Sequence, residues 1–269
     1  MKVHHLNCGT MRVPTFPVVA HVLLIETGNS LVLVDSGYGL DDIADPARRI
    51  GPVRHLIRPA LNPAETAARQ VERLGFRRDD VRHIILTHLD VDHTGGLSDF
   101  PQAQVHITTA EATGAIRSPS LREKMRYRPA QWAHHPKIIE HTPAGDKWRG
   151  FAAAEQLDNI APGIVLISLP GHTRGHAAVA VDTGDRWLLH AGDAFYHHGT
   201  LAHSRVPAAL RVGETLVAYD LRKVRDNHAR LAELHQRGDP VLAIICSHDP
   251  ALYESMRIDT QTDPPAGAR

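Results

Sequence analysis

Cysteine is nearly absent from this chain. Cys8 and Cys246 are the only two in 269 residues and stand far apart, which excludes a disulfide framework and a thiolate zinc site built on paired spacing. Cys246 lies inside an apolar run and reads as a small buried hydrophobe. Net charge is absent too: thirty basic side chains balance thirty acidic ones. No overall field therefore recruits nucleic acid or an anionic membrane, and a small molecule is the expected partner. No apolar run reaches the length of a membrane span, and the start Met1-Lys2-Val3-His4-His5 is not followed by a long apolar stretch, so the cytoplasm is the expected location. Repeats of solenoid period are missing, as are low-complexity tracts in the core. The length suffices for a substantial core, in one large domain or two small ones, and is compatible with a homo-oligomer.

What the chain does have is histidine, twenty in all, too many for most of them to be ligands. The densest stretch is Thr87-His88-Leu89-Asp90-Val91-Asp92-His93-Thr94-Gly95-Gly96. It follows residues 81–86, whose length and β-branched content suit a buried strand, so its side chains would hang on a rigid strand end. Two imidazoles and two carboxylates this close repel or desolvate one another unless a cation sits between them. Such a set suits zinc, manganese or iron. Three later strand-like runs end the same way: residues 164–169 before His172, Trp187 to His190 before Asp193, and residues 241–246 before His248.

The rest of the chain gives a coarse outline. Residues 18–26 and 30–35 read as strands joined at Gly28-Asn29. Residues 63–74 have a helical period with Asn62-Pro63 at the start, and residues 101–108 read as a strand. Between 109 and 151 the period is lost. This stretch, rich in Arg, His, Pro and aromatics such as Tyr127, Trp132, Trp148 and Phe151, is expected to form helices and loops as a lid; its aromatics either line an apolar pocket or pack inward. Strands are expected at 164–169, 177–182, 187–191 and 241–246, one long amphipathic helix at 214–237, and a mobile tail at 260–269.

The ordered set of strand-end ligands resembles the metallo-β-lactamase-fold hydrolase superfamily, whose signature is His-x-His-x-Asp-His followed by a His, an Asp and a His. The resemblance covers roughly residues 18–250. It implies an α/β, four-layer αββα sandwich, here a single domain over 1–259, with the metal loops along the edge where the two sheets meet. It implies two divalent ions, zinc first: one on His88, Asp90 and His172, the other on Asp92, His93 and His248, with Asp193 bridging. Metal coordination brings the pKa of bound water from about 16 to near 7, so a metal-bound hydroxide would be the nucleophile, with Asp92, Asp193 and Tyr196 as catalytic residues. Tyr196, three after Asp193, resembles the Tyr of quorum-quenching lactonases that hydrogen-bonds the substrate; a packed core Tyr is the other reading. Asp35 is either an orienting partner for a ligand imidazole or a plain strand end. His176 is expected to support the site rather than ligate.

The activity implied is opening of a lactone or cleavage of another small ester, with β-lactam, thioester or phosphoester cleavage as alternatives on the same site. Asp90 departs from the pattern, which has His there. The extra negative charge leaves iron or manganese open, and with them a diiron redox protein, because the flavodiiron reductases of this superfamily carry an acidic residue at that position.

Overall fold

The computed structural model describes residues 1–13 and 16–262. Alternation along its central strands decides the architecture. In β4 (His21–Glu26), Leu23 and Ile25 join one apolar cluster while Val22 and Leu24 join another. In β5 (Leu31–Val34), Val32 and Val34 face the first cluster, Leu31 and Leu33 the second. Successive side chains point to opposite faces of a strand, so strands apolar at every position must be covered on both sides.

Two six-stranded sheets meet that requirement. The first runs β1-β4-β5-β6-β7-β8, with β1 (Lys2–Asn7), β6 (Val81–Ile85), β7 (Gln104–Thr108) and β8 (Lys137–His141). The second runs β14-β13-β12-β11-β10-β9, with β9 (Asp146–Trp148), β10 (Phe151–Gln156), β11 (Ile164–Ser168), β12 (Ala177–Asp182), β13 (Trp187–His190) and β14 (Leu242–Ile245). A small hairpin pairs β2 (Met11–Val13) with β3 (Phe16–Val18). The inner cluster joins Leu23, Ile25 and Ile85 of the first sheet to Leu166, Val179 and Ile245 of the second. Outside, helix Ala67–Arg73 packs Ala67, Ala68 and Val71 on the first sheet, and helix Leu221–Gln236 packs Leu231 and Leu234 on the second. This is the expected αββα sandwich.

Three local outcomes differ from the outline. The helix expected at 63–74 opens with a 3-10 turn, Pro63–Glu65, and starts properly at Ala67, where the Thr66 hydroxyl accepts from the Arg69 N–H. The long helix at 214–237 is two helices, Ala208–Val217 and Leu221–Gln236, because Asp220 caps the second by accepting from the N–H groups of Arg222 and Lys223. Residues 109–151 hold helix Leu121–Arg126 and shorter turns, but also β8 and β9, an edge strand for each sheet. Charged and polar residues on those exposed edge strands hid their period. Among the described residues the last helix is Pro250–Thr262, so the tail expected from 260 begins inside a helix and, beyond Thr262, lies outside the described residues. Among the described residues no helix is long and apolar enough to cross a membrane.

Candidate metal centre

The site grows from the ends of β5 and β6. Asp35, just past β5, takes a left-handed φ of 61°, which Asp tolerates better than most residues. Its carboxylate accepts from the Thr87 N–H at 2.8 Å, from the Thr87 hydroxyl at 2.9 Å and from His93 Nδ1 at 2.9 Å. Thr87 Oγ1 in turn lies 2.9 Å from His88 Nδ1. One carboxylate thus orients His93 directly and His88 through a hydroxyl, turning both Nε2 atoms inward. Gly95 closes the loop tightly: a Cβ there would lie 1.8 Å from Asp42 Oδ2.

The second sheet supplies the remainder. His176 donates from Nδ1 to the Leu169 carbonyl at 3.1 Å and accepts the Asp193 N–H at Nε2 at 3.0 Å. Both ring nitrogens are therefore used, and His176 positions Asp193. Gly192 (φ 55°) permits this contact, since a Cβ would sit 2.7 Å from His176 Nε2 and 2.9 Å from Thr87 Cβ. His248 donates from Nδ1 to the Val19 carbonyl at 2.7 Å, leaving Nε2 for the site. The neighbouring Asp249 accepts from the N–H and Nδ1 of His198 and the N–H of Ala251. His197, His198 and Asp249 do lie close enough to form a further group, but Asp249 spends both oxygens on these bonds.

Two donor clusters result. His88, His172 and Asp193 form one and Asp92, His93 and His248 the other, with ligand atoms within 4.8 Å of one another in each. Asp193 stands between them: Oδ2 is 3.4 Å from His172, 3.8 Å from His88 and 3.1 Å from His248, and Oδ1 is 3.4 Å from His93. His88 Nε2, His93 Nε2 and Asp193 Oδ1 are buried without a hydrogen-bond partner. Buried polar atoms are rarely left so, and three converging on one place suit a cation. A set of imidazoles and carboxylates fits divalent ions.

The electrostatics of the two clusters diverge. Burial would raise Asp193 and lower the imidazoles, but His248, His93 and His172 hold Asp193 well below the usual carboxylate range. Against burial, Asp193, Asp35 and Asp92 push His93 up to about 10, and Asp193 with Asp92 pushes His248 up to about 9. His172 goes the other way, lowered to about 4 by burial and then by Arg126.

Arg126 was not visible in the sequence pattern. Asp90 comes within 3.3 Å of His88 Nε2 and 3.1 Å of His172 Nε2, yet both its oxygens accept from Arg126, Oδ1 from Nε at 2.6 Å and Oδ2 from Nη2 at 2.5 Å. Despite burial, Arg126 holds the Asp90 carboxyl well below its ordinary value. Glu111 was equally hidden. Buried, it accepts from the N–H groups of Leu89 and Gly175 and the hydroxyls of Tyr127 and Thr173, at 2.7–3.0 Å, and so ties both metal loops together. Neither residue belongs to a motif; only the topology brings them in.

The clusters open into a cavity of about 450 Å³ whose walls include Val18, Leu56, Met125, Leu210 and Leu216. Tyr196 reaches it, its hydroxyl 3.4 Å from His172 Nδ1, and burial with the Asp193 charge keeps the phenol protonated. From residues 109–151 the wall takes Arg122, Met125, Arg126 and Arg128. The aromatics pack inward: Tyr127 bonds Glu111, and Trp148 meets Trp187 edge-on at 5.6 Å.

Strand-end His and Asp donors gathered at one edge of an αββα sandwich make a candidate divalent-metal centre. The chain belongs to the metallo-beta-lactamase superfamily, whose family model matches residues 15–248. It is 59% identical over 258 residues to a probable metallo-hydrolase of Mycobacterium tuberculosis (strain ATCC 25618 / H37Rv), covering 96% of this chain and 83% of that protein. It is 24% identical over 261 residues to the N-acyl homoserine lactonase AttM of Agrobacterium fabrum (strain C58 / ATCC 33970), covering 95% and 91%. A solved N-acyl homoserine lactone hydrolase, with the product N-hexanoyl-L-homoserine at its catalytic metal center, shares the fold with a TM-score of 0.66 at 22% identity, over 94% of this chain and 95% of that one.

Proposed function

We propose that the protein is a dinuclear metal-dependent hydrolase that opens a lactone or cleaves another small ester. The observation that carries this reading is Asp193, buried between two imidazole clusters whose inward nitrogens on His88 and His93 lack partners. His88, His172 and Asp193 would hold one ion and Asp92, His93 and His248 the other, with Asp193 shared and zinc the preferred metal. When bound, such ions acidify water and polarise a carbonyl.

The chain's own groups do the rest. Asp35 and Thr87 keep the imidazole nitrogens of His93 and His88 turned inward. Tyr196, a protonated phenol at the cavity wall, is placed to donate to a substrate oxygen as charge develops there. The apolar side chains on the wall suit a hydrocarbon substituent on the substrate. The lactonases among the similar proteins favour a lactone over a β-lactam or phosphoester. The charge argument for iron redox chemistry weakens, because Arg126 neutralises Asp90.

Metal analysis of untagged protein, followed by lactones, aryl esters, β-lactams and phosphoesters, tests this. Lactone or ester hydrolysis that stops on chelation and returns with zinc is the expected result. Turnover of only β-lactams or phosphoesters by the zinc-loaded protein would overturn it.

A further inference from the structure

We propose that Arg126 withholds Asp90 from the first metal position, so that one ion is held tightly by Asp92, His93, His248 and Asp193 while the position at His88, His172 and Asp193 fills weakly. The inference deepens the metal-dependent reading above and rests on it.

The geometry of one guanidinium carries it. Arg126 uses all five of its N–H donors. Nε and Nη2 fork onto the two oxygens of Asp90. Nη2 also donates to His172 Nε2 at 2.6 Å, and Nη1 donates to the carbonyls of His172 at 3.0 Å and Val217 at 2.7 Å. A planar fork on a carboxylate is among the strongest side-chain pairings, and a Lys could not reproduce it. The fork takes one lone pair of each Asp90 oxygen and neutralises the carboxylate, which weakens its pull on an ion while Arg126 stays fastened to two carbonyls. The same guanidinium occupies the lone pair of His172 Nε2, the nitrogen that faces the site. It therefore competes for two of the donors that the first position would use, and leaves Asp92, His93 and His248 alone.

Charge points the same way. Asp90 and Arg126 sum to zero, the formal charge of the neutral His that the superfamily signature has in place of Asp90. The pair is four-fifths enclosed, at 19% and 18% side-chain exposure, so solvent screens it little. An acidic residue at this point thus supplies no extra negative charge to the metal, because its counter-charge is built in.

The test is zinc binding by the full chain, read as stoichiometry after dialysis against a chelator and as affinity by competition titration. The wild type should take up two ions in steps at least about tenfold apart, the scale on which supporting groups tune a site, with His172→Ala removing only the weaker. Arg126→Met should strengthen the weaker step by about tenfold or more. The double variant Arg126→Met, Asp90→Asn frees His172 Nε2 but offers no carboxylate, so its weaker step should lie between those of the wild type and Arg126→Met. If Asp90 is already a ligand, the double variant instead loses the first ion as His172→Ala does, which overturns the proposal. Should neither variant fold, the wild-type titration decides alone, and two steps of equal affinity overturn it. Uptake of no ion by the wild type would overturn the metal reading itself.

Discussion

The two donor clusters are built from the same materials and answered by different charges. Around Asp92, His93 and His248, carboxylates prevail: Asp193, Asp35 and Asp92 raise His93 to about 10, against burial. Around His88 and His172, the protein contributes Arg126, and His172 is lowered to about 4 by burial and that neighbour. One cluster calls for a cation from outside. The other holds Arg126, a cation already balanced by Asp90. A metal motif read as a string of ligands treats the two as equivalent, whereas the residues that meet them in space do not.

Replacing the shared residue should erase the contrast and have the largest effect. Asp193→Ala should cost both ions and lower hydrolysis by more than about 100-fold, the upper end of what outer partners cost; metal content and kcat/KM measured together check this, and retained turnover under limiting metal would deny Asp193 its shared role. The next experiment sharpens the contrast by truncating one imidazole on each side. His248→Ala should abolish tight zinc retention on a desalting column, and His172→Ala should preserve it; equal losses would make the clusters equivalent. Asp35→Asn keeps the shape and tolerates the left-handed backbone but removes the charge behind His93, so zinc affinity should fall by about 10- to 100-fold. Competition titration should assign that fall to the tighter ion, because His93 touches Asp35 directly and His88 only through Thr87. Tyr196→Phe should have the smallest effect, leaving zinc content unchanged and lowering lactone turnover by less than about 100-fold, the low edge of what a lost oxyanion donor costs. A change in zinc content with that variant would show that the phenol supports His172 instead.

The strands that carry the ligand loops were legible from their apolar runs, as in β5 and β11, which are buried, whereas the layered sandwich was legible only through the family resemblance that the ordered ligands carry. The orienting role of Asp35 was one of two open readings, and its bonds to Thr87 and His93 decide for it. His176 likewise supports the site, with both nitrogens used. Arg126 and Glu111 could not be read, since each acts at long sequence distance, 36 residues from Asp90 for the former and 22 from Leu89 for the latter. A lone charged residue in a stretch without period gives no sign of its partner. The edge strands β8 and β9 were hidden for a related reason, because edges tolerate polar residues that blur the alternation.

The interruption between helices Ala208–Val217 and Leu221–Gln236 has a consequence for how this protein can change. At the interruption the N–H groups of Tyr219 and Asp220 bond the carbonyls of His172 and Gly171 at 3.0 and 2.9 Å. These are main-chain bonds, so ordinary side-chain replacement leaves them in place. The helix before the break lends Leu210, Gly213 and Leu216 to the cavity wall, while the direct main-chain bonds to His172 and its neighbour come from the break that follows it. Replacement of Leu210 or Leu216 can therefore resculpt that part of the wall without removing the bonds behind the imidazole. On this side of the cavity, the surface offered to a substrate can change while the main-chain bonds behind His172 persist.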